Sequence, residues 1–311
     1  MMRKKCIGII GTGKISQEYV NIFKKIDVEI KIVCARNKKK LHDFCLKNNI
    51  KKNTLIISDL LNLNLDGVIV CASPDSSLLI SKQLVNFKGK ILFEKPVGLN
   101  LAQTENINKL YQNKNNFYVA LNRRYYHSVV TSKKLMNMSK NRKFISICDQ
   151  ENTIEAKKSG HKNSTIKNWM FANSIHLVDL INFYIKSKVV GVTNIKNIRK
   201  NHKLYFSIIK FQNGDIVEFK SFWNKPAPWK INISFDEKFV QLKPIENISY
   251  IDKSSREIKK INIDKKDIIF KPGFFRQSED FKKALQNKKN SLVSLENYLR
   301  SVNLTHRIFF N

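Results

Sequence analysis

Residues 5–16 read KCIGIIGTGKIS and predict a β-strand, a tight glycine turn and the start of an α-helix. The near-continuous apolar run at 5–10 is typical of a strand that is buried on both faces of a parallel sheet. Gly11 suits the tight turn, and Gly13 lets a ligand approach the backbone closely. Ser16 replaces the third glycine of the G-x-G-x-x-G pattern, where a small residue is sufficient. The pattern therefore predicts that the helix N-terminus holds the pyrophosphate of a dinucleotide.

Strand and helix patterns alternate along the first 122 residues. Short apolar runs predict strands at 5–10, 28–35, 54–57, 67–72, 90–93 and 117–121. Apolar residues at helical spacing predict helices at 14–25, 39–48, 76–86 and 101–112. This α/β alternation is typical of a Rossmann doubly wound parallel sheet with helices on both faces, which we assign to residues 1–122.

The pattern changes after residue 122. Grouped strands are predicted at 144–149, 189–198, 204–211, 216–223, 230–235, 240–242 and 258–263. Asn213 and Gly214 form a typical hairpin turn between two of these strands. Helices are predicted at 174–185, 275–286 and 295–308. Strands joined by hairpins predict an α+β domain with an open, mostly antiparallel sheet over residues 123–311.

The chain is strongly basic. Lysine and arginine number 57 against 25 aspartate and glutamate residues, for a formal net charge of +32. The positive charge is mostly lysine, spread over the whole length and accompanied by abundant asparagine and isoleucine, as an A+T-rich coding sequence favours. Because there is no arginine-rich helix, RNA-binding aromatic motif or zinc finger, we predict no nucleic-acid function. The positive field instead favours an anionic small substrate, which it would steer inward.

Cysteine, histidine and apolar patterns argue against other classes. The five cysteines lack C-x-x-C spacing and the six histidines form no H-x-x-x-H pair, so no metal site is predicted. Scattered cysteines in apolar runs are typical of reduced, buried thiols. No apolar run is long enough to cross a bilayer, and no signal-peptide core follows the basic N-terminus. We therefore predict a cytoplasmic protein without membrane contact.

Candidate cofactor contacts follow the ends of several predicted strands. Besides the two glycines they are Thr12, Lys14, Ile15, Arg36, Ser73 and Pro74. NAD-binding domains place an acid at the end of the second strand, where it bonds the ribose 2′-hydroxyl. Here Arg36 is followed by asparagine and three lysines, and no acid is present. We therefore favour NADP, whose 2′-phosphate suits a basic tract, with NAD as the alternative.

The segment Glu94-Lys95-Pro96 ends another strand of the predicted sheet. The proline biases Lys95 away from a helical conformation and so holds its ammonium near the cofactor. With this segment the chain resembles the glucose-fructose oxidoreductase, inositol dehydrogenase and rhizopine-catabolism (Gfo/Idh/MocA) family of NAD(P)-dependent enzymes. The resemblance covers nearly the whole chain and rests on residues 11–13, 72–74, 94–96, 122–124 and 173–179.

The resemblance implies an oxidoreductase. In the family, the lysine that Lys95 matches bonds both cofactor ribose and substrate hydroxyl, and Glu94 beside it is a further candidate cofactor contact. The family histidine is matched by His176. The two residues would move the proton while hydride passes between nicotinamide and a hydroxyl or keto carbon of a sugar, cyclitol or sugar nucleotide. The resemblance also implies a second domain that binds substrate and forms homo-oligomer contacts. Segment 173–179 is similar to members in surface-polysaccharide biosynthesis.

One position departs from the family pattern. Many members carry an aspartate four residues before the histidine, whereas this chain has Ala172 there. Either His176 acts with Lys95 alone or a different residue contributes. The departure also motivates an alternative function, a catalytically silent dinucleotide-binding sensor or scaffold. The retained lysine and histidine favour the enzyme.

Further polar residues are candidates for substrate contact. Asn122, Arg123 and Arg124 follow a predicted strand at the domain junction. An arginine there suits either a substrate carboxylate or phosphate or an interdomain salt bridge. Asn173 precedes the histidine on the same segment and is a candidate of the same kind. Asp179 follows the histidine by three residues, and we favour a structural carboxylate that caps or pairs within the helix.

Overall fold

The computed structural model describes residues 3–139, 141–199 and 202–311. Residues 1, 2, 140, 200 and 201 of the two predicted domains lie outside these ranges. The described residues form two compact units, each with its own sheet. The first unit comprises Met1–Asn122 and Gly273–Leu299, and the second comprises Arg123–Pro272 and Arg300–Asn311.

Strands alternate with helices in the first 120 residues and follow one another directly between residues 189 and 261. The strands are β1 (Lys5–Ile10), β2 (Val28–Cys34), β3 (Lys52–Thr54), β4 (Gly67–Val70), β5 (Lys90–Glu94), β6 (Phe117–Ala120), β7 (Phe144–Glu151), β8 (Val189–Arg199), β9 (His202–Phe211), β10 (Ile216–Trp223), β11 (Lys230–Phe235), β12 (Lys238–Leu242), β13 (Ile248–Asp252), β14 (Lys259–Ile261) and β15 (Val293–Ser294). The α-helices are α1 (Lys14–Phe23), α2 (Lys38–Asn48), α3 (Ile57–Leu61), α4 (Ser77–Leu84), α5 (Leu101–Leu110), α6 (His127–Met136), α7 (Thr153–Lys158), α8 (Asn163–Lys167), α9 (Ile175–Tyr184), α10 (Lys265–Ile269), α11 (Phe274–Leu285) and α12 (Leu295–Phe309). Three-ten turns span Pro74–Ser76 and Asn122–Tyr125, and a π-helical turn spans Met170–Ser174.

The sheet of the first unit has the strand order β15-β6-β5-β4-β1-β2-β3. All neighbouring strands are parallel except β15, which is antiparallel to β6. β1 and β4 lie side by side within this sheet, and their side chains are almost entirely buried, as continuous apolar runs predict for strands covered on both faces. The order from β3 to β6 is that of a Rossmann domain, so the predicted doubly wound parallel sheet is confirmed.

Residues 273–299 join the first unit, although the sequence assigns them to the second domain. Phe281 of α11 is fully buried and packs edge-on against Phe23 of α1, with ring centroids 6.4 Å apart. The absence of a side chain at Gly67 lets Leu285 close against β4, because a Cβ there would lie 2.5 Å from a Leu285 methyl carbon. β15 covers the outer edge of β6, which would otherwise present unpaired backbone groups. The apolar face of an amphipathic helix indicates that the helix packs against another element, but the helix sequence does not identify that element.

The sheet of the second unit has the strand order β14-β13-β12-β11-β7-β10-β9-β8. β7 and β10 are parallel, and the other neighbouring strands are antiparallel. Along β10, buried residues alternate with more exposed ones, so one face of the sheet packs on the core. The predicted α+β arrangement with an open, mostly antiparallel sheet is confirmed.

Residues 54–57 depart from the predicted elements. The sequence predicts a strand there, whereas β3 ends at Thr54 and α3 begins at Ile57. The Thr54 hydroxyl donates to Asp59 Oδ2 at 2.6 Å, which fixes the turn into the helix. Leu55 and Ile56 are exposed, so their apolar character does not reflect burial in a strand.

Several short elements of the second unit were not predicted. They are α6, α7, α8, α10 and β13. Lysines and hydroxyl residues interrupt the apolar face of α6, which weakens its helical pattern in the sequence. Within the described ranges, no helix combines the length and apolar content that crossing a membrane requires.

The packing of α11 in the first unit generates a stability prediction. Phe281→Ala removes a fully buried ring and should lower the free energy of unfolding by about 3–5 kcal/mol. Phe144→Ala is the control, because that ring is 45% exposed, and it should cost less than about 1 kcal/mol. Urea unfolding of both variants measures the difference. Equal losses would contradict the assignment of α11 to the core.

Candidate functional site

The glycine turn of the first unit leaves no room for a side chain at its first glycine. Gly11 has a φ of +112°, and a Cβ built on it would lie 2.5 Å from the carbonyl oxygen of Cys71, just after β4. The Gly11 amide donates to the Cys34 carbonyl at 2.8 Å, at the end of β2. The turn is thus fastened between the carboxyl ends of two strands, which only glycine allows.

Gly13, in contrast to Gly11, faces open space. Among the residues that the structure describes, no heavy atom beyond the adjoining residues lies within 4 Å of a Cβ built there, and no side-chain hydrogen bond caps the N-terminus of α1. The first turn of α1 contains no acid, and Ser16 is fully buried beneath it. Open space beside uncapped backbone N–H groups at the positive end of a helix fits a pyrophosphate. Thr12, Lys14 and Ile15 border this space in the chain.

The remaining predicted cofactor contacts lie after strand ends of the same sheet. Arg36 is exposed just beyond β2, before α2 begins with Asn37 as its N-cap. Ser73 and Pro74 follow β4 and start a three-ten turn, where the Ser73 hydroxyl donates to Asp75 Oδ2 at 3.1 Å. Because parallel strands end at one edge, these residues and the glycine turn belong to the edge at which Rossmann domains bind their ligands.

Glu94 ends β5, and a cis peptide bond joins Lys95 to Pro96. The fully buried Tyr19 of α1 donates its hydroxyl proton to Glu94 Oε1 at 2.7 Å. This bond ties the strand end to the helix that begins at the glycine turn. Glu94 therefore has a structural contact, and Lys95 follows it directly, half-buried at the same sheet edge.

The second unit holds the predicted histidine close to an arginine. His176 is in the first turn of α9 and is 1% exposed. Its Nε2 lies 2.9 Å from Nη1 of Arg123. A guanidinium can only donate, so Nε2 accepts and the ring proton lies on Nδ1. In this arrangement His176 presents an unprotonated nitrogen.

Arg124 forms a two-pronged ion pair within the second unit. Its Nε and Nη2 each donate to a carboxylate oxygen of Asp179 at 2.6 Å. The Ser301 hydroxyl donates to the same carboxylate at 2.7 Å, and Asp179 is 1% exposed. The sequence left a substrate contact or an interdomain salt bridge open for the arginines, whereas the structure pairs Arg124 with Asp179 inside the second unit. Asp179 is a structural carboxylate, but its partner Arg124 lies outside α9, whereas the sequence favoured a cap or pair within the helix. Asn122 is buried at the start of its three-ten turn.

A cavity of about 460 Å³ lies within the second unit. Arg123 and Asn173, both predicted from the sequence, line it together with Glu151, Trp169 and Trp229. The Arg123 guanidinium lies 5.6 Å from the Trp229 ring centroid. Flat aromatic walls with a few polar groups are typical of small-molecule sites.

Two buried carboxyls near this cavity were not predicted from the sequence. Glu151 ends β7 and accepts hydrogen bonds from Trp169 Nε1 at 2.5 Å, Asn173 Nδ2 at 2.8 Å and the Ser174 hydroxyl at 2.9 Å. Asp149, two residues earlier, is fully buried and accepts from Ser221 at 2.5 Å. The sequence signal that could have identified them is the spacing of Asp149 and Glu151, two positions apart at the end of an apolar strand.

Burial governs the protonation of both acids. It raises the pKa of Asp149 to about 6, against donation from Ser221. It also raises the pKa of Glu151 well above its ordinary value, and the nearby charge of Asp149 acts in the same direction. The two groups therefore titrate as a pair and resist double ionisation.

Comparison with known proteins agrees with this geometry. The family model described as "Oxidoreductase family, NAD-binding Rossmann fold" (Gfo/Idh/MocA) matches residues 5–121. The resemblance drawn from the sequence is confirmed over residues 5–121, which match the Rossmann domain of this oxidoreductase family. No curated protein matches the chain.

Solved structures are similar over the whole chain. A dehydrogenase from Chromobacterium violaceum has a TM-score of 0.83 at 15% identity, covering 99% of this chain and 95% of that one. UDP-N-acetylglucosamine 3-dehydrogenase from Acidithiobacillus ferrooxidans has 0.79 at 12%, covering 99% and 97%. Levoglucosan dehydrogenase in complex with NADH has 0.83 at 12%, covering 98% and 96%. At these identities the likeness concerns the fold.

A substitution at Gly13 tests cofactor binding separately from folding. Gly13→Ala adds a methyl group where the protein has open space, so it should leave stability unchanged but weaken NADPH or NADH binding about tenfold or more, since it fills the space for the pyrophosphate. Fluorescence titration of the reduced cofactor measures this. Gly191→Ala in β8 is the control and should bind like the wild type. Unchanged cofactor affinity in Gly13→Ala would contradict the assigned pyrophosphate position.

The buried Asp149 generates a prediction about pH. Its folded-state pKa is raised from 3.8 to about 6, so the folded protein binds this proton more tightly than the unfolded chain does. Ionisation of Asp149 therefore lowers stability as pH rises through that window. Asp149→Asn should have nearly wild-type stability below pH 3.8 and be more stable by about 1–3 kcal/mol above pH 6. Urea unfolding across this pH range, with exposed Asp43→Asn as control, tests it; a constant difference would refute it.

Proposed function

We propose that the protein is an NAD(P)-dependent oxidoreductase that transfers hydride between the nicotinamide and a hydroxyl or keto carbon of a sugar-like small molecule. The observation that carries the proposal is the glycine turn at the uncapped N-terminus of α1, on the sheet edge where Lys95 follows β5. A domain that only bound a dinucleotide would need the turn but not the lysine.

The cofactor, when bound, supplies the hydride acceptor or donor. Gly11 and Gly13 hold the turn and the space for the pyrophosphate, and Arg36 stands after β2, where an acid would favour NAD. A guanidinium at that position suits a 2′-phosphate, so we propose NADP as the preferred cofactor. Ser73 and Pro74 border the same edge after β4.

Residues of this chain hold the substrate hydroxyl and accept its proton. The Lys95 ammonium can donate a hydrogen bond to a substrate hydroxyl oxygen and hold it in place. His176 presents Nε2 as an acceptor, and a substrate hydroxyl that replaces Arg123 there can pass its proton to this nitrogen. For each hydride that leaves the substrate carbon, one proton thus reaches a protein base, and the reverse reaction returns it.

The cavity of the second unit supports a sugar-like substrate. Trp169 and Trp229 line it with aromatic rings, and Asn173 offers a polar group that hydroxyls can bond. Arg123 lines the same cavity and would attract an anionic group, in keeping with the basic composition. Two structural neighbours act on sugar substrates by name, levoglucosan and UDP-N-acetylglucosamine. We propose this substrate class, a role in surface-polysaccharide biosynthesis, a homo-oligomer and a cytoplasmic location.

A second candidate is a catalytically silent dinucleotide-binding sensor or scaffold. Ala172 favours it, because the acid that many family members carry before the histidine is absent. The arrangement of His176 with an unprotonated nitrogen favours the enzyme.

Hydride transfer tests the two candidates. Purified protein is offered NADP and NAD with a panel containing levoglucosan, UDP-N-acetylglucosamine and inositol, and reduced nicotinamide is followed by absorbance. Lys95→Ala and His176→Asn should each lower kcat about 10²–10⁴-fold on any substrate that the wild type uses. Exposed Lys158→Ala is the matched control and should keep the wild-type rate.

The outcomes separate the candidates. Full activity of Lys95→Ala on a true substrate would overturn the role given to that lysine. Cofactor binding without turnover on any panel member, together with capture of a specific protein partner, would favour the sensor.

A further inference from the structure

The turn before His176 lacks an acid of its own but receives a carboxyl from another element. Asn173 and Ser174, which donate to Glu151, lie on the π-helical turn Met170–Ser174 that leads into α9. Trp169, the third donor, directly precedes this turn. One side chain of β7 therefore holds both ends of the turn on which Ala172 stands. π-Helical turns of this kind are frequent at functional sites.

The burial of this carboxyl is costly. Glu151 is 1% exposed and Asp149 is fully buried, and within the described ranges neither forms a salt bridge with lysine or arginine. Buried carboxyls without a cation are unfavourable, as their raised pKa values reflect. A strongly perturbed acid that lines a cavity, as Glu151 does, is typical of functional sites.

We propose that Glu151 performs the role of the carboxylate missing at Ala172. It is a positioning residue that orients Asn173 and the π-helical turn leading into α9, whose first turn carries His176, so that the imidazole can accept the substrate proton. The proposal rests on the proposed oxidoreductase function. Glu151 itself forms no bond with the substrate in this scheme: the hydroxyl proton passes to His176 and the hydride to the nicotinamide.

Glu151→Gln tests the proposal because it keeps the size of the side chain and removes its acidity. We expect unchanged cofactor affinity, a KM within about threefold of wild type and a kcat about 100-fold lower, as misplacement of a reacting group costs. Glu218→Gln is the matched control, since Glu218 also accepts from a serine hydroxyl across the second-unit sheet, at 2.6 Å from Ser146. It should keep the wild-type kcat. A wild-type kcat in Glu151→Gln would overturn the proposal.

A rescue variant distinguishes this role from general support of the fold. Glu151→Gln combined with Ala172→Asp restores a carboxylate on the same turn, at the position that the family uses. We expect it to recover at least about tenfold of the lost kcat. Recovery of thermal stability without recovery of kcat would contradict a positioning role.

An NMR measurement on the cofactor-free protein keeps this test independent of turnover. The ring signals of His176 are assigned by their disappearance in His176→Asn. They should shift in Glu151→Gln and remain in place in Glu218→Gln. Ser174→Ala, which keeps the carboxyl and removes one donor, should shift them less and decides the matter if Glu151→Gln does not fold. Unshifted His176 signals would refute the proposal, whereas shifted signals without any wild-type turnover would refute only the proposed function.

Discussion

The contact between Gly11 and the carbonyl of Cys71 is the constraint on which the first unit depends. A Cβ at Gly11 would lie 2.5 Å from that oxygen, so the chain after β1 can turn back into α1 only without a side chain there. This turn brings the N-terminus of α1 to the carboxyl edge of the sheet. Tyr19 on the same helix then donates to Glu94, which links the helix that begins at the glycine turn to the strand end before Lys95. The glycine turn and the end of β5 are thus connected through one helix.

In the second unit an ion pair between side chains holds the elements together, whereas in the first unit a backbone turn does so. Arg124 and Asp179 form a buried, two-pronged ion pair that fastens α9 to the three-ten turn after residue 122. The neighbouring Arg123 is thereby directed to His176. Two adjacent arginines, equivalent by sequence, therefore have different tasks: one is committed to structure, and the other meets the candidate base and the cavity. Breaking a buried pair of this kind leaves an uncompensated charge, which is more costly than losing a surface pair.

Glu151 illustrates how a chain can lack an acid of the family pattern and still place a carboxyl against the turn before its histidine. A carboxyl one helical turn before a histidine can come from the helix or from any element that packs against that turn. Strand β7 supplies it here, at the expense of burying two acids, and one of them stays protonated more readily than a surface acid would. The free energy of unfolding is therefore lower than it would be with two neutral residues at these positions. Such a loss is common where side chains take part in a reaction.

The sequence by itself determined the local features: the glycine turn, the alternation of strands and helices, the parallel and antiparallel character of the two sheets, and the candidates Lys95 and His176. The first three follow from periodicity and from residue types that tolerate special backbone conformations, whereas the roles of Lys95 and His176 are what the family resemblance implies. Only the tertiary structure decided which element or side chain each of these segments packs against. It moved residues 273–299 to the first unit, gave Arg124 its ion pair and placed Glu151 against the turn at Ala172. Such contacts join residues far apart in the chain, and their geometry depends on the packing of whole elements, which no local pattern encodes.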